Sequence, residues 1–265
     1  MKWRIIGGLA GTYRSVTAHI PGRGGPLTPP PWWAWFTAAV VLGTVLVAVV
    51  VAKSRPAPGS VSVSVSAASV SEVVFAGPPG QLSITGEPGN AGRAQQVTLT
   101  GQVHWVPGRR AAVATGPRQT GHVLRLGYRC AAGSPCTGHL RLTLPEHTAL
   151  VLDQPSGHVV LYRLAGRVRI TASSVDVAAS ALRAPVLTAV ITSGHLSATF
   201  LSPPRQLAVT LVSAQATVSL PRGPAYRLSQ QVTSGYLQAG VPQSPTAGRT
   251  ISARITSGEL ALVTR

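Results

Sequence analysis

Histidine and acidic side chains are the residues best suited to acid–base or metal chemistry, but in this sequence they are scattered. The chain has 7 histidines and only 6 acidic residues. The histidines beyond residue 100 are His104, His122, His139, His147, His158 and His195, and none has a His-x-x-x-His spacing. The acids are Glu72, Glu87, Glu146, Asp153, Asp176 and Glu259, which form no pair suited to glycoside hydrolysis. We therefore predict no catalytic residue, no metal site and no cofactor, and a chain that is not an enzyme.

Cys130 and Cys136 are the only cysteines, and a short Ala-Ala-Gly-Ser-Pro segment separates them. In an oxidising compartment two cysteines on either side of a turn most simply form a disulfide. So short a loop contributes about 2 kcal/mol in the chain-entropy estimate. A metal site is the alternative, but it needs more ligands than this pair supplies.

Arginine dominates the charge of the chain, which is +17 at pH 7. One segment between His104 and Cys130 has no acid and contains Arg109, Arg110, Arg118, Arg125 and Arg129. If these guanidinium groups share a face, they could pair with phosphates of wall polymers or of lipid headgroups. The alternative is a solvated loop whose arginines reflect GC-rich codons. Nucleic acid is not an expected partner, because the basic residues lack interleaved aromatic side chains.

A short motif recurs in the C-terminal half and predicts the fold. Residues 191–196, 232–237 and 255–260 all read β-branched, Thr, Ser, Gly, variable, Leu. With weaker copies included, the predicted corners are Gly157, Ser174, Gly194, Ala214, Gly235 and Gly258, which lie about 20 residues apart. Such a period is typical of stacked units that share a core. The sequence thus predicts an all-β domain with a β-solenoid or β-helix-like stack, and an antiparallel β-sandwich is the alternative.

An uncharged apolar run at residues 32–52 predicts one transmembrane helix, because its length suits a hydrocarbon layer about 30 Å thick. More basic residues precede this run than closely follow it, which places the N-terminus in the cytoplasm. Residues 1–31 then form a disordered cytoplasmic tail, residues 53–72 a stalk and residues 73–265 an extracellular repeat domain. A cleaved secretory signal is the alternative for the apolar run, and it also leaves the later residues outside the cell.

The order of these features resembles a bacterial envelope family, the "putative adhesin" domain of unknown function. The resemblance rests on Tyr-Arg-Cys at 128–130, Cys136, the strand at 140–145, Pro-Ser-Gly-His-Val at 155–159 and the Thr-Ser-Gly repeats. It implies a β-solenoid-like domain at the cell surface, behind a single membrane helix, with no established catalytic residue. The family usually has Asp after the repeat Gly. Here His158, His195, Gln215, Tyr236 and Glu259 occupy that position, and only Asp176 keeps the Asp.

Together these features predict a single-pass protein of the cell membrane. Its extracellular domain would serve adhesion, or bind anionic envelope polymers, without catalysis. The alternative is a regulatory partner of a membrane signalling or envelope-stress system, in which the helix and the extracellular domain contact another membrane protein.

Overall fold

The computed structural model describes residues 60–89, 96–105, 113–114, 117–130 and 136–265, and within these ranges the chain forms β-strands and no helix. The strands are β1 Ser60–Ser66, β2 Glu72–Ala76, β3 Gly80–Glu87, β4 Gln96–Trp105, β5 Val113–Ala114, β6 Arg118–Thr120, β7 Val123–Arg129, β8 Cys136–Pro145, β9 Ala149–Tyr162, β10 Val168–Leu182, β11 Val186–Phe200, β12 Gln206–Leu220, β13 Arg227–Gly240 and β14 Thr250–Thr264. They pair in the order β1-β4-β8-β3-β9-β10-β11-β12-β14-β13, with β2, β5, β6 and β7 beside this path. The prediction of an all-β domain is confirmed for the described residues.

The six long strands β9 to β14 form what we call the parallel stack, since every pairing among them is parallel. In β11 the buried residues are odd-numbered up to Ile191 and even-numbered from Leu196 onward. Alternate residues of a regular strand share one face, so this change of parity marks a corner near Gly194. Apolar side chains from both arms of the strand belong to one core. We call each such bent strand a layer. The antiparallel sandwich would instead require neighbouring strands to run in opposite directions.

The corners of the layers lie side by side in register. Along the stack the corner is occupied in turn by Gly157, Val175, Gly194, Ala214, Gly258 and Gly235. The prediction of Ser174 as a corner is wrong by one position, because Ser174 pairs with Ser156 and Ser193. Val175 is not among the residues with positive φ, so this corner accepts a β-branched side chain.

Glycine is required at three corners. Gly157, Gly194 and Gly258 have φ angles of 119°, 107° and 146°, a region that other L-residues rarely adopt. A Cβ atom at Gly194 would also lie 2.3 Å from the carbonyl oxygen of Val175. Val175 and Ala214, which alternate with these glycines, have buried side chains. From Gly157 to Gly258 the corners thus alternate between close backbone approach and side-chain packing.

The last strand of the chain is not at the end of the stack. β14 pairs with both β12 and β13, so it lies between them, and β13 becomes the edge. The connection that allows this return is anchored at Tyr226, whose N–H donates to the carbonyl of Pro242 and whose ring is fully buried. Successive repeats of the sequence are therefore not always neighbours in space.

The N-terminal part of the domain builds comparable layers from two strands each. The first arm of β9 pairs with β2 and the second arm pairs with β3, both in parallel. Beyond them, β7 pairs with β2 and β8 pairs with β3. Antiparallel strands then cover this end, with β4 on β8, β1 on β4, and β5 and β6 on β7.

The predicted stalk at residues 53–72 needs correction within the described range. Ser60–Ser66 forms β1, which pairs with β4 over its full length. Its valines alternate with serines, and Val65 is buried in the core. A low-complexity segment thus becomes a strand because β4 offers an open edge.

The predicted transmembrane helix at residues 32–52 lies outside the described residues, as do the predicted tail and residues 53–59 of the stalk. In the described part of the chain, no helix has the length and apolar character needed to cross a membrane.

Candidate binding surface

A row of polar side chains runs beside the corners. Each strand of the parallel stack contributes one residue: in spatial order His158, Asp176, His195, Gln215, Glu259 and Tyr236. We call this the polar row. The register also extends it toward the N-terminus, because Gln81 pairs with His158 and with His139. The residues that replace Asp in the repeats therefore share one face.

The best-defined contact of the polar row joins neighbouring layers. His195 Nδ1 lies 3.1 Å from Asp176 Oδ1, and their side chains are 66% and 61% exposed. Such solvent exposure screens any attraction between the two side chains, so this contact contributes little to stability. His139 Nδ1 similarly lies 3.3 Å from Gln81 Oε1.

Two shallow grooves follow the polar row. One, of about 410 Å³, has His158, Asp176, His195 and Gln215 among its lining residues. The other, of about 350 Å³, has Gln81, His139, Arg141 and His158 among its own. No group of three His, Cys, Asp or Glu residues suited to a metal ion occurs in the described ranges. The grooves therefore offer hydrogen-bonding groups along a line.

The predicted anion-binding residues fall partly on one small sheet, formed by β6 and β7. Arg118 lies directly opposite Arg125 in this antiparallel pair. Arg129 lies four positions further along β7, which puts it on the same face as Arg125. All three are exposed. Arg109 and Arg110 lie outside the described residues.

The charge of this patch is not neutralised by the protein. Both ion pairs found in the described residues have histidine as the basic partner, so no arginine there forms a salt bridge with a carboxylate. Like charges directly opposite each other on a sheet are destabilising. A bound anion between Arg118 and Arg125 would remove that repulsion.

The predicted disulfide between Cys130 and Cys136 is confirmed, with a Cα–Cα distance of 5.5 Å. It joins the end of β7 to the start of β8, and these two strands together form one layer. The disulfide thus links the two strands of this layer, and it fixes the end of the strand that carries Arg125 and Arg129.

Burial raises the pKa of two tyrosines, Tyr128 and Tyr226, and the charge of Arg249 partly opposes this at Tyr226. Both phenols therefore stay neutral at physiological pH. Neither supplies negative charge to offset the neighbouring arginines.

The sequence alone predicted only some of the residues that share this surface. It placed His158 and His195 at equivalent repeat positions, and the register puts Asp176 between them. It missed Gln81 and His139, because β3 and β8 do not carry the repeat motif. It also missed the cross-strand pairing of Arg118 with Arg125, although the Gly121-His122 turn between β6 and β7 was a usable signal of a hairpin.

Comparison with known proteins gives distant structural matches. No protein-family model matches the chain, and no curated protein does. A crystal structure of a "putative cell adhesion protein" from Clostridium sporogenes aligns with 79% of this chain and 100% of its own, at 11% identity and a TM-score of 0.39. A "putative adhesin" from Bacteroides fragilis aligns with 79% and 99%, at 10% identity and a TM-score of 0.29. TM-scores below 0.5 do not establish a shared fold, so the resemblance to the adhesin family stays a prediction.

Proposed function

We propose that this chain is a single-pass protein of the bacterial cell envelope whose external β-domain binds anionic envelope polymers and catalyses no reaction. The observation that carries the proposal is the opposed pair Arg118 and Arg125, which have like charge, are exposed and have no carboxylate partner. The formal net charge of +17 adds a long-range attraction for polyanions.

We further infer that the layers wind as a solenoid, an arrangement that would suit this role. A strand of 15 residues such as β11 measures about 50 Å when extended, yet it is joined to its parallel neighbour β10 only by residues 183–185. A connection of this length spans about 15 Å at most. Each strand must therefore wind around the core, so that its end comes close to the start of the next. A winding stack gives an extended surface, which suits a polymer better than a small metabolite.

The test is binding of the full chain, purified in a non-ionic detergent, to anionic wall polymer and to vesicles of anionic lipid. The comparison variant replaces Arg109, Arg110, Arg118, Arg125 and Arg129 by Gln. We expect the variant to bind polymer more weakly and the salt dependence of binding to be less steep. Equal binding by both proteins would show that the arginine patch does not bind the polymer. No binding by the wild type would contradict the proposed function itself.

Membrane topology is tested separately. A single cysteine introduced at exposed Ser257 should react with a membrane-impermeant maleimide in intact cells if the domain lies outside. Protection in intact cells, together with labelling after lysis, would place the domain in the cytoplasm and contradict the proposal.

A regulatory role is the second candidate, and the edge strand β13 favours it. Val232 and Tyr236 of this strand are 39% and 58% exposed, and an open edge can pair with a strand of another protein. A photo-cross-linking residue at Tyr236 should then capture a membrane protein in intact cells. Capture of wall polymer alone would favour the first proposal.

A further inference from the structure

The turns of the parallel stack hold a second set of arginines, away from the patch on β6 and β7. Every connection between successive strands from β9 to β14 contains at least one, and Arg227 begins β13. We call six of these residues the turn arginines: Arg167, Arg183, Arg205, Arg222, Arg227 and Arg249. None of these connections contains an acidic residue. The three acids of this region, Asp153, Asp176 and Glu259, lie within their strands and outside the connections.

Backbone hydrogen bonds hold the turns of neighbouring layers together. The N–H of Arg183 donates to the carbonyl of Leu164 at 2.8 Å, and the N–H of Arg205 donates to Pro185 at 2.8 Å. The three layers at the C-terminal end are linked in the same way. There Thr250 donates to the carbonyl of Arg205 at 2.9 Å, and Arg227 donates to that of Arg249 at 2.8 Å. Because parallel strands lie about 4.8 Å apart, Arg205 and Arg249 lie at that spacing in neighbouring layers. Arg227 pairs with Thr250, so it lies one position further along its own strand.

Arg205 and Arg249 also share a pocket of about 490 Å³. The rest of its lining consists of Ser244 and the small residues Ala225, Ala247 and Gly248. Arg249 is half-buried, and its Nη1 donates to the carbonyls of Pro203 at 2.8 Å and Pro204 at 3.1 Å. These bonds fix one guanidinium in position, while exposed Arg205 stays free to close on a ligand. Two guanidiniums and a hydroxyl are suited to an oxyanion such as a phosphate group.

We propose that the turn arginines form a track for a linear phosphate-bearing polymer, with one phosphate group held in the pocket between Arg205 and Arg249. This inference rests on the proposed binding of anionic polymers and adds a second contact site to the arginine patch on β6 and β7. The turns that contain these arginines follow one another along the direction in which the layers stack. A single extended chain can therefore contact several of them at once, whereas a flat membrane surface would not be matched by a narrow column.

The test compares two variants of the full chain that lose the same number of positive charges. The track variant replaces Arg167, Arg183, Arg205, Arg222 and Arg227 by Gln. All five are exposed, and Arg249 is kept because it bonds to the backbone. The control is the patch variant with Gln at positions 109, 110, 118, 125 and 129. Both are measured with long-chain inorganic polyphosphate, with inorganic phosphate and with phosphatidylglycerol vesicles.

We expect the track variant to bind polyphosphate at least about tenfold more weakly than the patch variant, because several surface ion pairs are lost together. Inorganic phosphate should compete poorly, since it occupies a single site. Equal weakening of the two variants would show that only total charge matters, and an unaffected track variant would show that the patch is the site; either result overturns the track. If the track variant lost only its binding to phosphatidylglycerol vesicles, the turn arginines would bind lipid, and the proposed polymer track would be contradicted. If the wild type does not bind polyphosphate at all, the proposed function fails together with the track.

Discussion

The parallel stack and the N-terminal part of the domain build similar layers by different means. In the stack, each layer is one continuous strand whose corner is a Gly, Val or Ala residue, and connections within the chain are short. In the N-terminal part, a layer is divided into two strands, as in β2 with β3 and β7 with β8. Antiparallel strands and a disulfide hold that end together.

This difference indicates how register is specified. Where the sequence repeats, each layer repeats the side-chain pattern of its neighbour, and a slip of one residue would expose every buried side chain of the strand. Where it does not repeat, covalent and antiparallel links replace that pattern. Mutations in the two regions should therefore differ in how much they change the free energy of unfolding and in how far along the sheet their effects extend.

The largest expected effect is at a corner of the stack. Gly194 and Gly223 have similar φ angles, 107° and 115°, but a Cβ at Gly194 meets the Val175 carbonyl whereas Gly223 has nothing within 4 Å. Gly194→Ala should therefore lower the free energy of unfolding by about 3 kcal/mol or more. Gly223→Ala in a turn should lower it by only about 1 kcal/mol. Thermal unfolding followed by circular dichroism gives the comparison, and equal losses would contradict a backbone contact at the corner.

The next effect concerns the disulfide. Replacing Cys130 and Cys136 by Ala should cost about 2 kcal/mol of stability, because the loop between them is short. Cys136 is itself buried, so its replacement by a small apolar residue keeps the packing close to native. Hydrogen exchange should accelerate in β7 and β8 and stay unchanged in β11 and β12. Acceleration throughout the stack would show that the two regions do not differ as we describe.

A smaller effect is expected at the buried tyrosine of the stack. The hydroxyl of Tyr226 is buried without a hydrogen-bond partner, so Tyr226→Phe should raise the free energy of unfolding by about 1 kcal/mol. Burial raises the pKa of Tyr226 in the folded protein above its usual value of 10.0. The wild type should consequently lose stability as the pH rises above the unfolded value, and the variant should lose less.

Tyr128 of the N-terminal part is the matched control. Burial raises its pKa too, but its hydroxyl is not among the buried polar atoms that lack a partner. Tyr128→Phe should leave the stability at neutral pH almost unchanged. A gain at Tyr128 equal to that at Tyr226 would mean that the orphan hydroxyl is not the cause.

The smallest effect is at a strained position in β10. Ala181 has a φ of 56° beside a register shift between Ala179 and Leu182. Ala181→Gly should be neutral or slightly stabilising, because relief of the left-handed strain offsets the extra freedom of glycine in the unfolded chain. Ala179→Gly, at a buried position without positive φ, should instead cost about 1 kcal/mol. Urea titration would contradict this reasoning if both substitutions cost the same.

The repeat motif made the all-β class and the alignment of Gly194, Gly235 and Gly258 predictable, because a repeated pattern of buried residues forces repeated neighbours. It could not predict that β14 lies between β12 and β13, since all three repeats carry interchangeable contacts. Ser174 was misassigned because Ser173 and Ser174 both resemble the motif, and only the pairing of backbones distinguishes Val175 as the corner. The alternation of Val and Ser at 61–65 allows a strand as well as a stalk, and the sequence could not decide between them because a strand at an edge depends on its partner more than on its own composition.

The candidate site was less predictable, for a related reason. Arg118 and Arg125 were predicted to belong to a patch, but their direct opposition depends on the register of a short hairpin. The turn arginines were visible as single residues in separate connections. Only the stacking of those connections, as in the bond from Thr250 to the carbonyl of Arg205, turns them into a column.

The central claim is that the layers lie in parallel register with β14 inserted between β12 and β13. Ser213 pairs with Ser257, which in turn pairs with Ser234. Neighbouring strands bring Cα atoms to about 5 Å, within the range of a disulfide, whereas strands two layers apart are about 10 Å apart. A chain with cysteines at 213 and 257 should therefore form a disulfide under mild oxidation, detected by mass spectrometry of linked peptides, and a chain with cysteines at 213 and 234 should not. The reverse result would mean that the repeats stack in the order of the sequence, and would contradict the account.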